Sequence, residues 1–173
     1  MRPAAITIRE ATLDDAPEIL RHRRLMFRDM GFMDERALDA MQASSEPYIL
    51  ASMKDGSYRG WLAIAPGGRV MGGGGVLLHR WVTHPINPNP RRAYILNVYV
   101  YEGSRRRGVA RRLMEHIVAW CRTQGFATLW LHASDEGRPL YESMGFVATN
   151  EMRLSFDPNS DPVDPNSDPG ETA

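Results

Sequence analysis

The chain has 173 residues, 43% of them hydrophobic and 24% charged, the composition of one soluble globular domain and not of a fibrous, disordered or membrane-spanning chain. Its 21 basic and 21 acidic residues cancel, yet five of the acids and no base fall in residues 157–173, so residues 1–156 carry +5 and the rest −5. A single cysteine, Cys121, excludes an internal disulfide, and no apolar run has the length of a membrane span or the form of an export signal, so a cytoplasmic location is expected.

Residues 5–10 (Ala-Ile-Thr-Ile-Arg-Glu) alternate at period two and predict a strand. Thr12-Leu13-Asp14-Asp15 has the form of a capping box and opens a helix to about residue 30, with Ala16, Ile19, Leu20, Leu25, Met26 and Met30 inward and Gly31 as its stop. A second helix over 34–53 carries Leu38, Met41 and Ile49 and is expected to be interrupted near Pro47. Residues 58–65 and 70–82 are strand-like runs joined by Pro66-Gly67-Gly68, a hairpin signal. Four consecutive glycines, Gly72 to Gly75, lie inside the second run, where they predict a close approach of backbone or ligand. A proline-rich loop then leads to an apolar, aromatic strand at 93–101.

That strand runs through Glu102-Gly103-Ser104-Arg105-Arg106-Arg107-Gly108-Val109-Ala110 into a helix. The buried stripe of this helix reads Ala110, Leu113, Met114, Ile117, Trp120 and Cys121, with Gly125 at its C-terminal end. A strand at 127–133 completes a βαβ unit. A short helix at 137–144, stopped by Gly145, and a last strand at 146–156 close an α/β or α+β domain over residues 1–156. Residues 157–173 write Asp-Pro-Asn-Ser-Asp-Pro twice around Val163. Recurring proline and charge of one sign predict a disordered acidic tail, and the missing glycine departs from a calcium loop.

A strand feeding a helix through residues 105–110 aims several unpaired N–H groups and the positive end of the helix dipole at one spot, which suits a phosphate. Gly108 lets an anion approach the backbone, and Ala110 keeps the next position small. Seven arginines face one acid, Glu102, between residues 91 and 112, so the expected ligand is a polyanion; a solvated basic helix start is the plain alternative. Nucleic acid fits less well, because the cluster is local and no zinc finger or aromatic RNA-binding pattern accompanies it. The chain also lacks a Gly-x-x-x-x-Gly-Lys-Ser/Thr loop and a Gly-x-Gly-x-x-Gly turn after its first strand. Neither nucleic acid nor a membrane is an expected partner.

Arg105-Arg106-Arg107-Gly108-Val109-Ala110 is similar to the Arg/Gln-x-x-Gly-x-Gly/Ala turn of the GNAT superfamily of N-acetyltransferases and sits where that family has it, between the fourth strand and the third helix. Leu140-Tyr141-Glu142-Ser143-Met144-Gly145-Phe146 looks like the family's Leu-Tyr-Glu-x-x-Gly-Phe. The resemblance spans about residues 5–156 and is firmest from Tyr94 to Phe146. It implies a GNAT-like mixed, mostly antiparallel twisted sheet with a splayed central parallel pair and about four helices, with acetyl-CoA as cosubstrate and no metal. It further implies that the pyrophosphate lies on the N–H groups of Arg106, Arg107, Gly108, Val109 and Ala110, with Arg105 at the motif's first position. The pantetheine arm would pair like an added strand with Val98 and Val100. Two positions depart from the family's pattern. Ser134 and Gly137 stand where Asn-x-x-Ala is frequent, so the Ser134 hydroxyl would take the contact to the arm, and residues 95–101 hold no Glu to act as base.

Acetyl transfer needs a neutral amine, a held thioester and a proton for the departing thiolate. Tyr141 suits the last role, since a phenol is protonated at neutral pH. Asn97 can position a water beside the amine; Tyr99, His132 and His79 are the other candidates for the base. The expected acceptor is a primary amine of a small molecule or peptide, attacking directly in a ternary complex, and a homodimer is left open. The wall facing the amine is expected from residues 20–50, 79–92 and the final strand, which offer Arg24, Asp34, Glu35, Glu46, Tyr48, His79, Trp81 and His84. A non-catalytic acyl-CoA sensor on the same fold is the alternative, and Tyr141 discriminates, because a binding module needs no proton donor at the sulfur.

Overall fold

Among the described residues five strands follow one another in chain order across a single sheet: β1 (Thr7–Glu10), β2 (Tyr58–Ile64), β3 (Val70–Arg80), β4 (Arg91–Val100) and β5 (Leu129–Leu131). The structure, a computed structural model, describes residues 6–85, 87–154 and 156; the tail expected at 157–173 lies outside the described residues. β1 to β4 pair antiparallel, while β5 runs parallel to β4 and meets it only from Ala93 to Ile95. Beyond Ile95 the two strands part, which leaves the second half of β4 with an open edge. The β2–β3 hairpin closes as expected at Gly67 and Gly68, whose φ values of 94° and 87° suit glycine.

Period two sends alternate side chains to opposite faces. Tyr58 of β2 joins a core with Ile19, Leu20 and Ile49 from α1 (Ala16–Asp29) and α2 (Glu35–Asp55). Trp61 and Ala63 turn the other way, into a larger core with Leu113, Met114, Ile117 and Cys121 of α3 (Val109–Thr123). Each such aliphatic side chain contributes roughly 1.5–3 kcal/mol on burial. The last helix, α4 (Arg138–Ser143), starts after Gly137. No described helix is long and apolar enough to cross a membrane.

The glycine run in β3 is a close approach, as the sequence suggested. A Cβ on Gly72 would stand 2.3 Å from the Tyr99 carbonyl oxygen, one on Gly73 2.8 Å from the His22 ring, and one on Gly75 2.3 Å from the Tyr58 hydroxyl. The run therefore lets β4 and two ring-bearing side chains settle directly on the sheet.

Several expectations are corrected. Thr12 opens a short 3-10 turn (Leu13–Asp15), and α1 begins only at Ala16. Helix α2 is continuous through Pro47. Pro47 and Ala43, whose carbonyl loses its helical donor, are both exposed, so water can satisfy that carbonyl, while Leu38 and Ile49 anchor the helix on either side. In α3 the first buried residue is Val109, and Ala110 and Trp120 are only half-buried. The expected strand at 127–133 shrinks to three residues, and the expected strand at 146–156 does not form among the described residues. Val147, Met152, Leu154 and Phe156 are exposed. A strand needs a neighbour for its backbone groups, and β5 offers too short an edge.

Candidate active site

After β4 the chain turns through residues 102–104. Arg105 N–H donates to the Glu102 carbonyl, and Arg112 N–H donates to the Gly108 carbonyl. Between these two bonds, the N–H groups of residues 106–111 have no backbone partner among the described residues. Arg106 and Gly108 adopt left-handed φ values of 58° and 74°, which bend the turn so that it opens into the start of α3. A Cβ on Gly108 would meet nothing within 4 Å, so glycine here supplies conformation and an unobstructed approach. Arg111 donates to Ser143 Oγ at 2.6 Å and ties α3 to α4.

Arg105, the first residue of the turn motif, is used internally. Its Nε donates to the Val100 carbonyl at 3.0 Å, its guanidinium pairs with Asp29 of α1, and it lies 5.6 Å from the Tyr99 ring centre. The side chain braces β4 against α1, and the exposed charges of the turn are Arg106 and Arg107.

The open edge of β4 is shaped by a bulge. Gly73 faces Tyr99 and Gly75 faces Leu96, so Asn97 and Val98 together oppose Gly74. Asn97 takes a φ of 56° and is buried. Its Oδ1 accepts from Arg23 Nη1 at 2.9 Å, and its Nδ2 approaches the Tyr58 hydroxyl at 3.5 Å. Burial pushes the Tyr58 phenol up to about 12, so it stays protonated at neutral pH. Further along, Tyr101 N–H donates to the Met71 carbonyl across the sheet. By alternation the backbone groups of Val98 and Val100 therefore point to the splayed side.

Three cavities join end to end along this edge. The first, about 280 Å³, lies over the turn at Arg106, Gly108, Val109 and Ala110. The second, about 220 Å³, shares Val100, Arg105, Ala110 and Leu140 with it and reaches Val98, Ser134 and Tyr141. The third, about 640 Å³, shares Val98, Ser134 and Tyr141 with the second and opens between α1 and the sheet. Of the catalytic and cofactor-binding residues expected from the sequence, all but Arg107 line these cavities, and Arg107 stands on the turn beside them.

Tyr141 occupies the junction. Its ring packs edge-on to Phe146 at 5.9 Å and lies against Gly137, where a Cβ would come within 2.8 Å of it. The hydroxyl has no hydrogen-bond partner among the described residues, and burial raises its pKa above the ordinary phenol value. Ser134 accepts Gly137 N–H on its Oγ at 3.2 Å and Arg138 N–H on its carbonyl at 2.8 Å, which starts α4 and holds Tyr141 in place.

The large cavity is lined by Arg23, Met26, Phe27 and Met30 of α1, by Phe32, by Leu77 and His79 of β3, and by His132, Glu151 and Arg153 further on. Of the eight wall residues expected from the sequence, only His79 lines it. Arg24 pairs with Glu35 and Asp39, and Asp34 caps α2. Burial and the neighbouring Arg92 lower the His79 pKa, so this imidazole is neutral at pH 7. Tyr99 belongs to the second cavity instead.

The fold is a mixed α/β one whose sheet splays at a parallel pair, with a left-handed turn and a helix start aimed into the gap. The chain belongs to the acetyltransferase (GNAT) family, whose model matches residues 19–146, a family that uses acetyl-CoA and acetylates amine acceptors. It is similar to a GCN5-related N-acetyltransferase from Ralstonia eutropha, with 37% identity over 88% of this chain and 99% of that one and a TM-score of 0.81. Its fold also matches a predicted acetyltransferase with acetyl-CoA from Clostridium acetobutylicum, at 21% identity over 90% and 98% of the two chains and a TM-score of 0.77. A ribosomal-protein-alanine N-acetyltransferase from Brucella melitensis shares the fold at 18% identity over 88% and 99%, with a TM-score of 0.62. Comparison with curated proteins gives no match.

Proposed function

We propose that this enzyme transfers the acetyl group of acetyl-CoA to a primary amine of a small molecule or peptide, by direct attack within a ternary complex. The observation that supports this reading above all is the row of three adjoining cavities from the turn at residues 105–110, along the open edge of β4, past Tyr141 to the large cavity. Acetyl-CoA supplies an activated acyl carbon; the chain's own residues hold it, orient it and move protons around it.

In this reading the N–H groups of Arg106, Arg107, Gly108, Val109 and Ala110 receive the pyrophosphate, where unpaired donors and the helix dipole add. Val98 and Val100 offer backbone groups on the splayed edge to the pantetheine amides, and Arg105 fixes that edge by holding the Val100 carbonyl. Ser134 contributes from the opposite wall. Tyr141, protonated because burial raises its pKa, donates its proton to the sulfur as the C–S bond breaks and the new C–N bond forms. The amine nitrogen loses one proton for each that the sulfur gains. Asn97, held by Arg23 and Tyr58, orients a water on the amine side, with neutral His79 and exposed His132 on the same wall. Placing both reactants in one groove supplies much of the rate by proximity.

Release of free thiol from acetyl-CoA, measured with the purified protein and a panel of amines, tests the reading. Amine-dependent thiol release is expected. Tight acetyl-CoA binding with no turnover on any acceptor would leave the chain a non-catalytic sensor.

A further inference from the structure

Resting on the acetyl-transfer reading above, the charges on the wall of the 640 Å³ cavity narrow its occupant. Arg23 reaches this cavity from α1. Its Nη1 donates to Asn97 Oδ1, and its guanidinium carbon lies 5.0 Å from the Phe27 ring centre. No carboxylate pairs with it among the described residues, and its Nε is buried without a hydrogen-bond partner. Burial also lowers its pKa, the direction expected of a cation that has lost water and gained no counter-charge.

The rest of the wall does not compensate. Among the described residues Glu151 is the only acid lining the cavity, and it pairs with Arg92 at 2.5 Å, while Arg92 itself lies 3.8 Å from the Trp130 ring centre. Around these charges the lining is apolar: Met26, Phe27, Met30, Phe32 and Leu77. A polyamine or aminoglycoside would bring a second cation with no acid to meet it. A peptide N-terminus would bring no anion close to its amine.

We propose that the acceptor is an amino-carboxylate with an apolar side chain, of the class of a free hydrophobic amino acid, its carboxylate held by Arg23 and its side chain against Phe27 and Phe32. The volume is that of a small-ligand site, and a guanidinium left with unused donors matches a carboxylate in shape and charge. The reaction balances as before: the amino nitrogen bonds to the acetyl carbon and gives up a proton, the C–S bond breaks, and the sulfur leaves as a thiol.

Calorimetric titration of the full chain saturated with CoA tests this without requiring turnover. The ligands are L-phenylalanine, L-methionine, L-phenylalaninamide, phenethylamine and spermidine. L-Phenylalanine is expected to bind at least about tenfold more tightly than its amide, the scale of one charge-assisted contact. The same ratio should appear in kcat/KM with acetyl-CoA, even though the amide's less basic amine favours the amide. Arg23→Gln should bring the ratio towards one. An amide, phenethylamine or spermidine that binds as well as the acid overturns the proposal, as does failure of both amino acids to bind at millimolar concentration or an unchanged ratio in Arg23→Gln. Failure of CoA itself to bind in the first titration would instead overturn the acetyl-transfer reading.

Discussion

At the turn end of the groove, the unpaired groups among the described residues are backbone: the N–H groups of residues 106–111 and the open edge of β4 at Val98 and Val100. At the cavity end they are side chains drawn from α1, β3, β4, β5 and the segment after α4. Backbone recognition demands particular φ values and small residues at fixed spacing, so it is written in one short stretch of sequence. Side-chain recognition needs only that distant residues converge, and it leaves no local trace. The shared function of a family can therefore reside in the first end, and the choice of acceptor in the second.

Substitutions at the turn should break binding of the common ligand. In Gly108→Asp, the left-handed φ costs about 1–2 kcal/mol, partly offset by an acid at a helix N-terminus, so the fold should survive. Acetyl-CoA affinity should nevertheless fall by about a hundredfold or more, since a negative charge replaces the approach to several N–H donors; calorimetry reads this, and unchanged affinity would remove the turn from the site. Tyr141→Phe, at the boundary between the two ends, should lower kcat by roughly 10²-fold while leaving acetyl-CoA binding nearly constant. With its pKa raised, Tyr141 stays protonated through neutral pH. It should therefore add no acidic limb to the rate profile, only a loss of activity above the ordinary phenol value near 10, which a pH–rate series checks.

Two further substitutions separate scaffold from site. Gly72→Ala pushes a methyl group to within 2.3 Å of the Tyr99 carbonyl oxygen and should cost about 1–3 kcal/mol of stability in urea unfolding. Smallest is Asp15→Asn, far from both ends of the groove. The Arg9 guanidinium, donating at 2.7 Å, holds the Asp15 carboxyl down to about 2. That stability is present above the unfolded value near 3.8 and is lost as pH falls towards 2. Because Arg9 is 44% exposed, the substitution should cost only about 1 kcal/mol at pH 7. The difference from wild type should disappear near pH 2, with kcat at neutral pH unaltered.

The same division explains how much was legible in the sequence. The turn and the Leu140–Phe146 stretch were readable because Gly108, Ala110 and Tyr141 are tied to backbone geometry at set intervals, and the run Gly72 to Gly75 announced the backbone approach of Tyr99 at Gly72 but not those of the His22 and Tyr58 side chains. The cavity wall was not. Residues 20–50 do contribute to the cavity wall, yet the polar residues that stood out there, Arg24, Asp34 and Glu35, are occupied with one another or with capping α2. Arg23, Phe27 and Phe32, which line the cavity, look like ordinary helix and loop residues until α1 docks on β4. Arg105 shows the converse. As one of seven arginines between residues 91 and 112 it counted towards a polyanion, but Asp29, 76 residues away in sequence, lies close enough to claim its charge. Pro47 and residues 146–156 were misread because local pattern carries no information about exposure or about the length of the neighbouring strand.

Hydrogen exchange of the full chain with and without CoA tests most directly whether backbone groups along the turn and the open strand edge hold the ligand. Added CoA is expected to slow exchange at residues 98–111, with the largest protection from Arg106 to Ala110, and to leave the β2–β3 hairpin unchanged. Protection confined to other segments, with residues 98–111 exchanging as fast as in the free protein, would contradict a groove that binds through its backbone.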